Sequence, residues 1–322
     1  MNILIASSIA KNAIEELNKK HDVICAFNAP EEKLISEISD RDIIIFRSGV
    51  KISEQVMKAG SNLKFLIRAG SGLDNLDVEY ANKRGLELKR IPEPGAKAVA
   101  ELSFAFMLTL SRNLLYADKE WKKGHWVKSE ITGYLLRGKV LGIVGAGNIG
   151  SLVGQMGSAW GMTVLGCVAE EDYTKQNEIY LTSKGIKITS FEEVITNADY
   201  LTIHVPLNDS TRNLIDKKVL KMMKPGSYLM TLARGGVVNE NDLLEELTNG
   251  ERLRGAGLDV HENEGEGKIS PLASLPNVVF SPHMGAQTID SQREIGDRVL
   301  ETVEYFENKL NSREEITATT NK

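Results

Sequence analysis

One stretch of the chain, Leu141–Gly150 (LGIVGAGNIG), restricts the possible folds more than any other feature of the sequence. An apolar run ends there in a G-x-G-x-x-G pattern, and a helix-like segment, Ser151–Trp160, follows it. A second apolar run, Met162–Val168, begins where the next strand of such a unit belongs. Glycines at this spacing between a strand and a helix are typical of dinucleotide-binding units. The sequence therefore predicts an α/β unit that binds a dinucleotide.

The three glycines of this pattern have different physical roles. Gly145 allows the tight turn after the strand, Gly147 lets a pyrophosphate approach the backbone, and Gly150 lets the helix pack close to the strand. The helix N-terminus adds free N–H groups and the positive end of the helix dipole. We therefore expect these glycines to form a cofactor site.

Strand and helix signals alternate along the whole chain of 322 residues. In the first part, apolar strands such as Asn2–Ala6 and Ile43–Phe46 alternate with amphipathic helices such as Ala10–Lys20. This alternation predicts parallel sheets with helices on both faces, and the length suggests two domains. A long apolar helix, Ala98–Ser111, would carry the chain into the second domain. The fold class we expect is α/β, with two doubly wound parallel-sheet domains.

Composition argues against several classes of protein. The net charge is −5 and the basic residues are scattered, so we expect no nucleic-acid partner. No apolar run approaches the roughly 20 residues that span a membrane, and the N-terminus does not resemble a signal peptide. Cys25 and Cys167 are the only cysteines. Two distant cysteines are typical of buried thiols in a reducing compartment, which predicts a cytoplasmic protein with no membrane partner.

Three polar residues follow predicted strands of the second domain: Arg234 in TLARGGVV, Glu264 in GLDVHENEG and His283 in SPHMGAQT. Ligands of open parallel sheets bind outside the carboxyl ends of the strands, so these side chains should face the cofactor. A guanidinium can hold a carboxylate and polarise a carbonyl, and a histidine can exchange the hydroxyl proton. A carboxylate beside that histidine orients it and favours its charged form. Each residue alone has an ordinary structural explanation, but together they predict hydride transfer at a 2-hydroxy acid.

Several longer motifs resemble those of the D-isomer-specific 2-hydroxyacid dehydrogenase family over residues 1–310. They are RAGSGLDNLDVEYA, AVAELSFAFMLTLSRN, GKVLGIVGAGNIG, HVPLNDSTRNLI, ARGGVVNE, AGLDV and SPHMGAQT. Within the family the chain is most similar to short-type D-3-phosphoglycerate dehydrogenases. The resemblance implies a flavodoxin-like substrate domain of residues 1–97 and 287–322, and a Rossmann-type NAD-binding domain of residues 98–286.

The resemblance also implies roles for individual residues. Arg234 would hold the substrate, His283 would be the acid/base, and Glu264 would be its partner. The implied substrate contacts in the first domain are Ser71, Gly72 and Leu73. The implied cofactor contacts are Gly145, Gly147, Asn148, Ile149, Gly150, His204, Pro206, Ala233, Asp259 and Gly285. Family members usually form homodimers through the cofactor domain, and here the helix Ala98–Ser111 and the loop with Trp121 and Trp126 would supply the apolar surface.

The cofactor prediction is NAD, although one position departs from the family pattern. Val168 stands where relatives carry the acid that binds the adenine ribose, and Glu170, Glu171 and Asp172 follow it closely. An arginine near the strand end would instead meet the 2′-phosphate of NADP. No Arg or Lys occurs there before Lys175. We therefore expect NAD, with Glu170 as the substitute ribose acid.

The substrate prediction rests on two arginines of the first domain. Arg47 and Arg68 lie at predicted strand ends and match positions that some phosphoglycerate dehydrogenases use for phosphate, whereas Gly49 stands where other members carry a second arginine. The favoured substrate is D-3-phosphoglycerate, which would place the protein in serine biosynthesis. Glyoxylate, hydroxypyruvate and lactate-type acids are the alternatives, and both arginines would then be structural.

A non-enzymatic function is also open at this point. The C-terminal-binding corepressors share this fold and the Arg/Glu/His set, so the chain could instead be an NAD(H)-sensing binding protein. A formate dehydrogenase is disfavoured, because that branch carries Gln at the position of Glu264. The HENEGEG segment with His261 and Glu262 superficially suggests a metal site, but no second group of ligands supports it, so we expect no metal.

Overall fold

The computed structural model describes the backbone of residues 1–170 and 173–320, and side chains as far as residue 312. The chain divides into two compact units. Unit 1 comprises Met1–Gly95 and Ala286–Lys322, and unit 2 comprises Ala96–Gly285. Each unit is built around its own parallel sheet, so the predicted α/β class is confirmed.

The sheet of unit 1 has five parallel strands: β1 (Asn2–Ile5), β2 (Asp22–Cys25), β3 (Ile43–Phe46), β4 (Phe65–Arg68) and β5 (Glu87–Arg90). Their order in the sheet is β2-β1-β3-β4-β5, which is the flavodoxin-like order. The central strands are continuous apolar runs, because helices cover both faces of the sheet.

The helices of unit 1 come from both ends of the chain. They are α1 (Lys11–Asn18), α2 (Glu31–Glu37), α3 (Glu54–Ala59), α4 (Val78–Lys83) and α12 (Ile289–Thr320). Helix α12 packs on the sheet through buried residues such as Val299 and Phe306, and the Phe306 ring stacks on Phe65 at 3.9 Å between centroids. The last helix of the chain therefore completes the core of the unit in which the chain begins.

The sheet of unit 2 has seven parallel strands: β6 (Val140–Val144), β7 (Thr163–Cys167), β8 (Ile186–Ile188), β9 (Tyr200–Ile203), β10 (Ser227–Thr231), β11 (Leu253–Leu258) and β12 (Val278–Phe280). Their order in the sheet is β12-β11-β10-β9-β6-β7-β8. This order reverses between β6 and β9, which is where a doubly wound sheet binds its dinucleotide. The helices are α5 (Glu93–Ser111), α6 (Leu114–Trp121), α7 (Asn148–Ala159), α8 (Lys175–Ser183), α9 (Phe191–Asn197), α10 (Lys217–Met222) and α11 (Glu240–Asn249).

Helix α5 begins at Glu93, before the predicted start at Ala98. Pro94 lies in its first turn, where the missing N–H of proline removes no intrahelical hydrogen bond. The largest side chains of α5, including Phe104 and Met107, are buried in unit 2. Within the described part of the chain, no single helix is long and apolar enough to cross a membrane, and α5 with α6 passes that test only as a pair bent by 63°.

Candidate active site

The predicted glycine turn joins β6 to α7 in unit 2. Gly145 has a φ of +92°, which side chains rarely adopt. A Cβ on Gly150 would collide with the Gly145 carbonyl group, so the helix reaches this close to the turn only with glycine there. No described atom lies within 4 Å of a Cβ built on Gly147, which leaves that side of the turn open.

The first turn of α7 offers its backbone N–H groups to a ligand. The helix is capped by Gly147, and none of the described side chains donates or accepts a capping hydrogen bond there. The amides that follow, at Asn148 and Ile149, thus stand at an uncapped helix N-terminus, where the helix dipole favours an anion. The turn and the helix together fit the pyrophosphate of a dinucleotide.

His204 follows β9 directly beside this turn, because a Cβ on Gly145 would touch the His204 carbonyl. Burial lowers the pKa of His204 to about 3, so its imidazole is neutral at physiological pH. Its Nε2 lies 2.9 Å from the Thr202 hydroxyl, and its buried Nδ1 has no hydrogen-bond partner among the described residues. Pro206 accepts a hydrogen bond from the Thr211 hydroxyl at its carbonyl (2.6 Å). The contacts of His204 and Pro206 with a cofactor stay predictions.

The end of β7 carries the candidate ribose acid. Val168 is partly buried and packs against the core of unit 2, so it offers no polar group. Glu170 is exposed, and its carbonyl accepts from the Tyr173 N–H at 3.2 Å. Glu171 and Asp172 lie outside the described residues. Glu170 is thus the nearest described carboxylate after this strand along the chain.

Two of the predicted catalytic residues are in contact. The Nδ1 atom of His283 lies 2.8 Å from Glu264 Oε2, and the other Glu264 oxygen accepts from the His261 N–H at 3.1 Å. With the Nδ1 proton donated to Glu264, the Nε2 atom of His283 is the one available for proton exchange. This arrangement is a histidine oriented by a carboxylate, as the sequence predicted.

The charge of Glu264 depends on these contacts. Partial removal from water would by itself raise the pKa of Glu264, but the hydrogen bond and charge of His283 and the His261 N–H outweigh this effect, so the pKa of Glu264 lies below its ordinary value. Glu264 is therefore ionised at neutral pH. An ionised carboxylate stabilises the imidazolium that forms when His283 takes a proton.

A second carboxylate holds the backbone on which His283 lies. Asp259 is 2% exposed, and its Oδ1 accepts from the Ser281 hydroxyl and from the Met284 N–H at 2.8 Å. Its Oδ2 accepts from the Gly285 N–H at 2.9 Å. Asp259 and Gly285 thus bind each other and shape the turn around His283, while their predicted contacts with the cofactor stay predictions.

Arg234 lies in the segment after β10. Its guanidinium donates to the neighbouring Ala233 carbonyl at 2.7 Å, and its side chain is partly buried. The next residue, Gly235, packs directly against the His261 carbonyl, where a Cβ would not fit. The segment that carries Arg234 therefore touches the loop that carries Glu264.

One residue that organises this loop is not marked out by the sequence. Glu240, the first residue of α11, is 4% exposed, and it exchanges hydrogen bonds with Glu262. An acid in the first turn of a helix is typical of a solvent-exposed position, so the sequence carried no signal of burial. Among the described residues, no group of three or more His, Cys, Asp or Glu side chains is arranged to hold a metal ion.

In unit 1, Arg47 follows β3 and lies at a polar cavity of about 330 Å³. Its guanidinium donates to Gln292 Oε1 at 2.8 Å, and it forms no ion pair with any described carboxylate. Burial lowers the pKa of Arg47 because no acid offsets the loss of water. The cavity is lined by Ser7, Ser8, Ile9, Ala10, Asn28, Arg47, Ser48, Gln287 and Gln292.

Arg68 has a different environment. It is 4% exposed, its Nε donates to the Gly72 carbonyl at 2.7 Å, and its guanidinium lies 5.9 Å from the Phe46 ring centroid. The guanidinium thus supports the turn formed by Ser71, Gly72 and Leu73. A phosphate contact by Arg68 stays a prediction.

Part of the chain is similar to a known protein family. Residues 104–285 match the model of the D-isomer specific 2-hydroxyacid dehydrogenase family, NAD binding domain. These residues lie within unit 2 and include the glycine turn and the pair formed by His283 and Glu264. The match to an NAD-binding domain therefore supports the prediction, made from the glycine turn, that this unit binds NAD.

Individual relatives cover nearly the whole chain. The D-3-phosphoglycerate dehydrogenase of Methanocaldococcus jannaschii is 34% identical over 94% of the chain, which spans 57% of that relative's length. The hydroxypyruvate reductase of Thermotoga maritima is 34% identical over 89% of the chain and 92% of its own length. The solved D-lactate dehydrogenase of Aquifex aeolicus, a complex with NAD and lactic acid, has a TM-score of 0.82 at 28% identity and covers 96% of each chain.

Proposed function

The chain belongs to the D-isomer specific 2-hydroxyacid dehydrogenase family, and we propose that it oxidises D-3-phosphoglycerate to 3-phosphohydroxypyruvate with NAD, or catalyses the reverse reaction. The observation that carries the dehydrogenase activity is the 2.8 Å contact between His283 and Glu264 in the unit that matches the NAD-binding model. A histidine held by an ionised carboxylate can take the hydroxyl proton as hydride leaves an alcohol carbon.

The proposed reaction divides its tasks among three side chains. Arg234 binds the substrate carboxylate and polarises the C2 oxygen. His283 takes the hydroxyl proton at Nε2 during oxidation and returns it during reduction, while Glu264 holds the Nδ1 proton and balances the charge. NAD, when bound, supplies the acceptor for the hydride that leaves C2.

The preference for a phosphorylated acid is proposed from the cavity at Arg47. Its guanidinium has a neutral partner, Gln292, and serine hydroxyls line the same space. A phosphate dianion would supply the missing negative charge and accept hydrogen bonds from these groups. Arg68, in contrast, would act by supporting the turn at Gly72.

The test is the consumption of NADH, followed by its absorbance, with 3-phosphohydroxypyruvate and with hydroxypyruvate, each repeated with NADPH. We expect a much higher kcat/KM for the phosphorylated acid, and a preference for NADH over NADPH. A preference for hydroxypyruvate would contradict the phosphate assignment and leave the dehydrogenase intact. Binding of NADH without turnover of any 2-oxo acid would favour the NAD(H)-sensing binding protein.

Hydroxypyruvate or glyoxylate reduction is the second candidate function. It is favoured by the similarity to the hydroxypyruvate reductase of Thermotoga maritima, whose length the chain matches more fully than that of the phosphoglycerate dehydrogenases. Only the phosphorylated substrate would place the protein in serine biosynthesis. A cytoplasmic location stays a prediction.

We further propose that unit 2 forms a homodimer. Large apolar side chains on α6 and in the segment after it are more than half exposed: Leu114, Leu115, Trp121, Trp126 and Leu135. An apolar surface of this kind is typical of a protein interface. The sequence had also suggested that the helix Ala98–Ser111 contributes, but its largest side chains lie in the core.

A further inference from the structure

Most of the loop that carries Glu264 lies on the surface of unit 2. Residues 262–269 are all exposed, and a cavity of about 630 Å³ lies against the loop. Glu264 and Ile269 line this cavity from the loop, and Phe280 and His283 line it from β12 and the segment after it. A loop beside such a space needs polar attachments to hold a carboxylate within hydrogen-bond distance of an imidazole.

Glu240 provides these attachments. Its Oε1 accepts from the Glu262 N–H at 2.8 Å, and its Oε2 accepts from the Ser270 hydroxyl at 2.6 Å. Its own N–H, at the start of α11, donates to Glu262 Oε1 at 3.0 Å. The buried Glu240 thus connects both ends of the exposed loop, at Glu262 and Ser270, to the N-terminus of α11. The hydrogen bond to Glu262 lies two residues from Glu264.

The hydrogen bonds between Glu240 and Glu262 also connect the loop to the segment that carries Arg234. That segment runs directly from Arg234 into α11, whose first residue is Glu240, and its Gly235 packs on the His261 carbonyl. The loop and the segment therefore contact each other at two points, Gly235 with His261 and Glu240 with Glu262. We propose that Glu240 is a positioning residue, which holds Glu264 against His283; this inference rests on the proposed function of that pair.

The test is a double-mutant cycle with Glu240→Ala and Glu264→Ala in the full chain. Glu240→Ala should lower kcat at least about tenfold with little change in the KM for NADH, because the histidine loses its oriented partner. In the Glu264→Ala background, the same change should cost less than about twofold, because nothing remains to be positioned. Equal losses in both backgrounds would overturn the proposal.

Two further variants separate positioning from a general loss of stability. Glu240→Gln should restore most of the activity, since the amide oxygen accepts from the Glu262 N–H and the amide nitrogen donates to Ser270. Glu246→Ala is the matched control: Glu246 is also a buried glutamate of α11, but it accepts from the Arg252 N–H, away from the loop. A loss of kcat in Glu246→Ala equal to that in Glu240→Ala would overturn the proposal.

A measurement without turnover keeps this inference separate from the proposed function. The His283 Nδ1 proton, hydrogen-bonded to Glu264, should give a downfield resonance in the proton spectrum of the intact protein. We expect it to disappear in Glu264→Ala and in Glu240→Ala, weaken in Ser270→Ala, and remain in Glu246→Ala. Its persistence in Glu240→Ala would refute the positioning role, whether or not the protein turns over 2-oxo acids.

Discussion

His283, the proposed acid/base residue, has an unusual backbone conformation. Its φ is +50°, in the left-handed region that most side chains avoid, and its N–H donates to the Asp259 carbonyl at 2.8 Å. The turn directs the imidazole to Glu264 rather than into the core. A conformation of this kind persists only where surrounding bonds impose it, and here Asp259 supplies them.

The first prediction concerns His283→Asn. Asparagine adopts the left-handed region readily, so the turn should survive while the acid/base group is lost. We expect kcat to fall by about 100- to 10,000-fold with the dissociation constant of NADH nearly unchanged. Steady-state kinetics and fluorescence titration with NADH measure the two quantities. Retention of wild-type turnover would exclude the proposed proton exchange.

The second prediction concerns Arg47→Ala. Loss of a charge-assisted contact should raise the KM for 3-phosphohydroxypyruvate by roughly 10- to 100-fold and leave the KM for hydroxypyruvate almost unchanged. Arg41→Ala is the control, since Arg41 is a buried arginine of unit 1 that pairs with Asp22 and Asp40 instead of lining this cavity. Equal effects on both substrates would remove Arg47 from the phosphate role.

The third prediction follows from the burial of His204. Its pKa falls from 6.5 to about 3 on folding, so between these values the unfolded chain binds a proton that the folded chain does not. Its contribution to stability is fully present above pH 6.5 and decreases as the pH falls, by up to about 1.4 kcal/mol per pH unit. Urea unfolding at several pH values should show that the free energy of unfolding depends less steeply on pH in His204→Gln than in the wild type. Identical pH dependences in the two proteins would contradict the burial of His204.

At the scale of elements, two glycines of the turn between β6 and α7 have different surroundings. Gly150 faces the Gly145 carbonyl from the helix side, whereas Gly147 faces open space. The two glycines therefore serve different requirements, close packing of α7 on the turn and access for a pyrophosphate.

The fourth prediction separates these two requirements. Gly150→Ala should destabilise unit 2 by about 1–3 kcal/mol, because its Cβ meets backbone that cannot yield easily. Gly147→Ala should leave the unfolding midpoint almost unchanged but weaken NADH binding at least about tenfold, because its Cβ would occupy the ligand's side of the turn. Thermal unfolding and NADH titration distinguish the variants, and a reversed pattern would refute the assignment.

The elements differ in how well the sequence predicts them. The strand Ile43–Phe46 and the helix after the glycines follow directly from an apolar run and a turn signal. The start of α5 cannot be predicted in this way, because a proline such as Pro94 can either end a helix or lie in its first turn. The packing around Pro94 determines which of the two occurs. The pair of His283 and Glu264 was predicted from motifs, but the burial of Glu240 depends on where a distant loop folds back, which no local pattern encodes.

At the scale of the whole molecule, the two units divide the proposed work. Unit 2 carries the glycine turn and the acid/base pair, and it alone contains the residues that match the NAD-binding model. Unit 1 carries the turn at Gly72 and the cavity of Arg47, which are the groups proposed to select the acid. In this proposal, the phosphate of the acid is bound in unit 1, whereas its carboxylate and the proton exchange belong to unit 2.

The fifth prediction concerns assembly. Trp121 and Trp126 are 67% and 77% exposed in unit 2, which is a large apolar area to leave in water. If this surface joins two copies of the chain, Trp121→Glu combined with Trp126→Glu places charges in the contact and should convert a dimer into a monomer. Light scattering coupled to gel filtration measures the mass. Ile179→Glu, at a 64% exposed position on α8, is the control and should leave the mass unchanged. A wild-type monomer, or a dimer that survives both tryptophan changes, would exclude this surface as the contact between two copies of the chain.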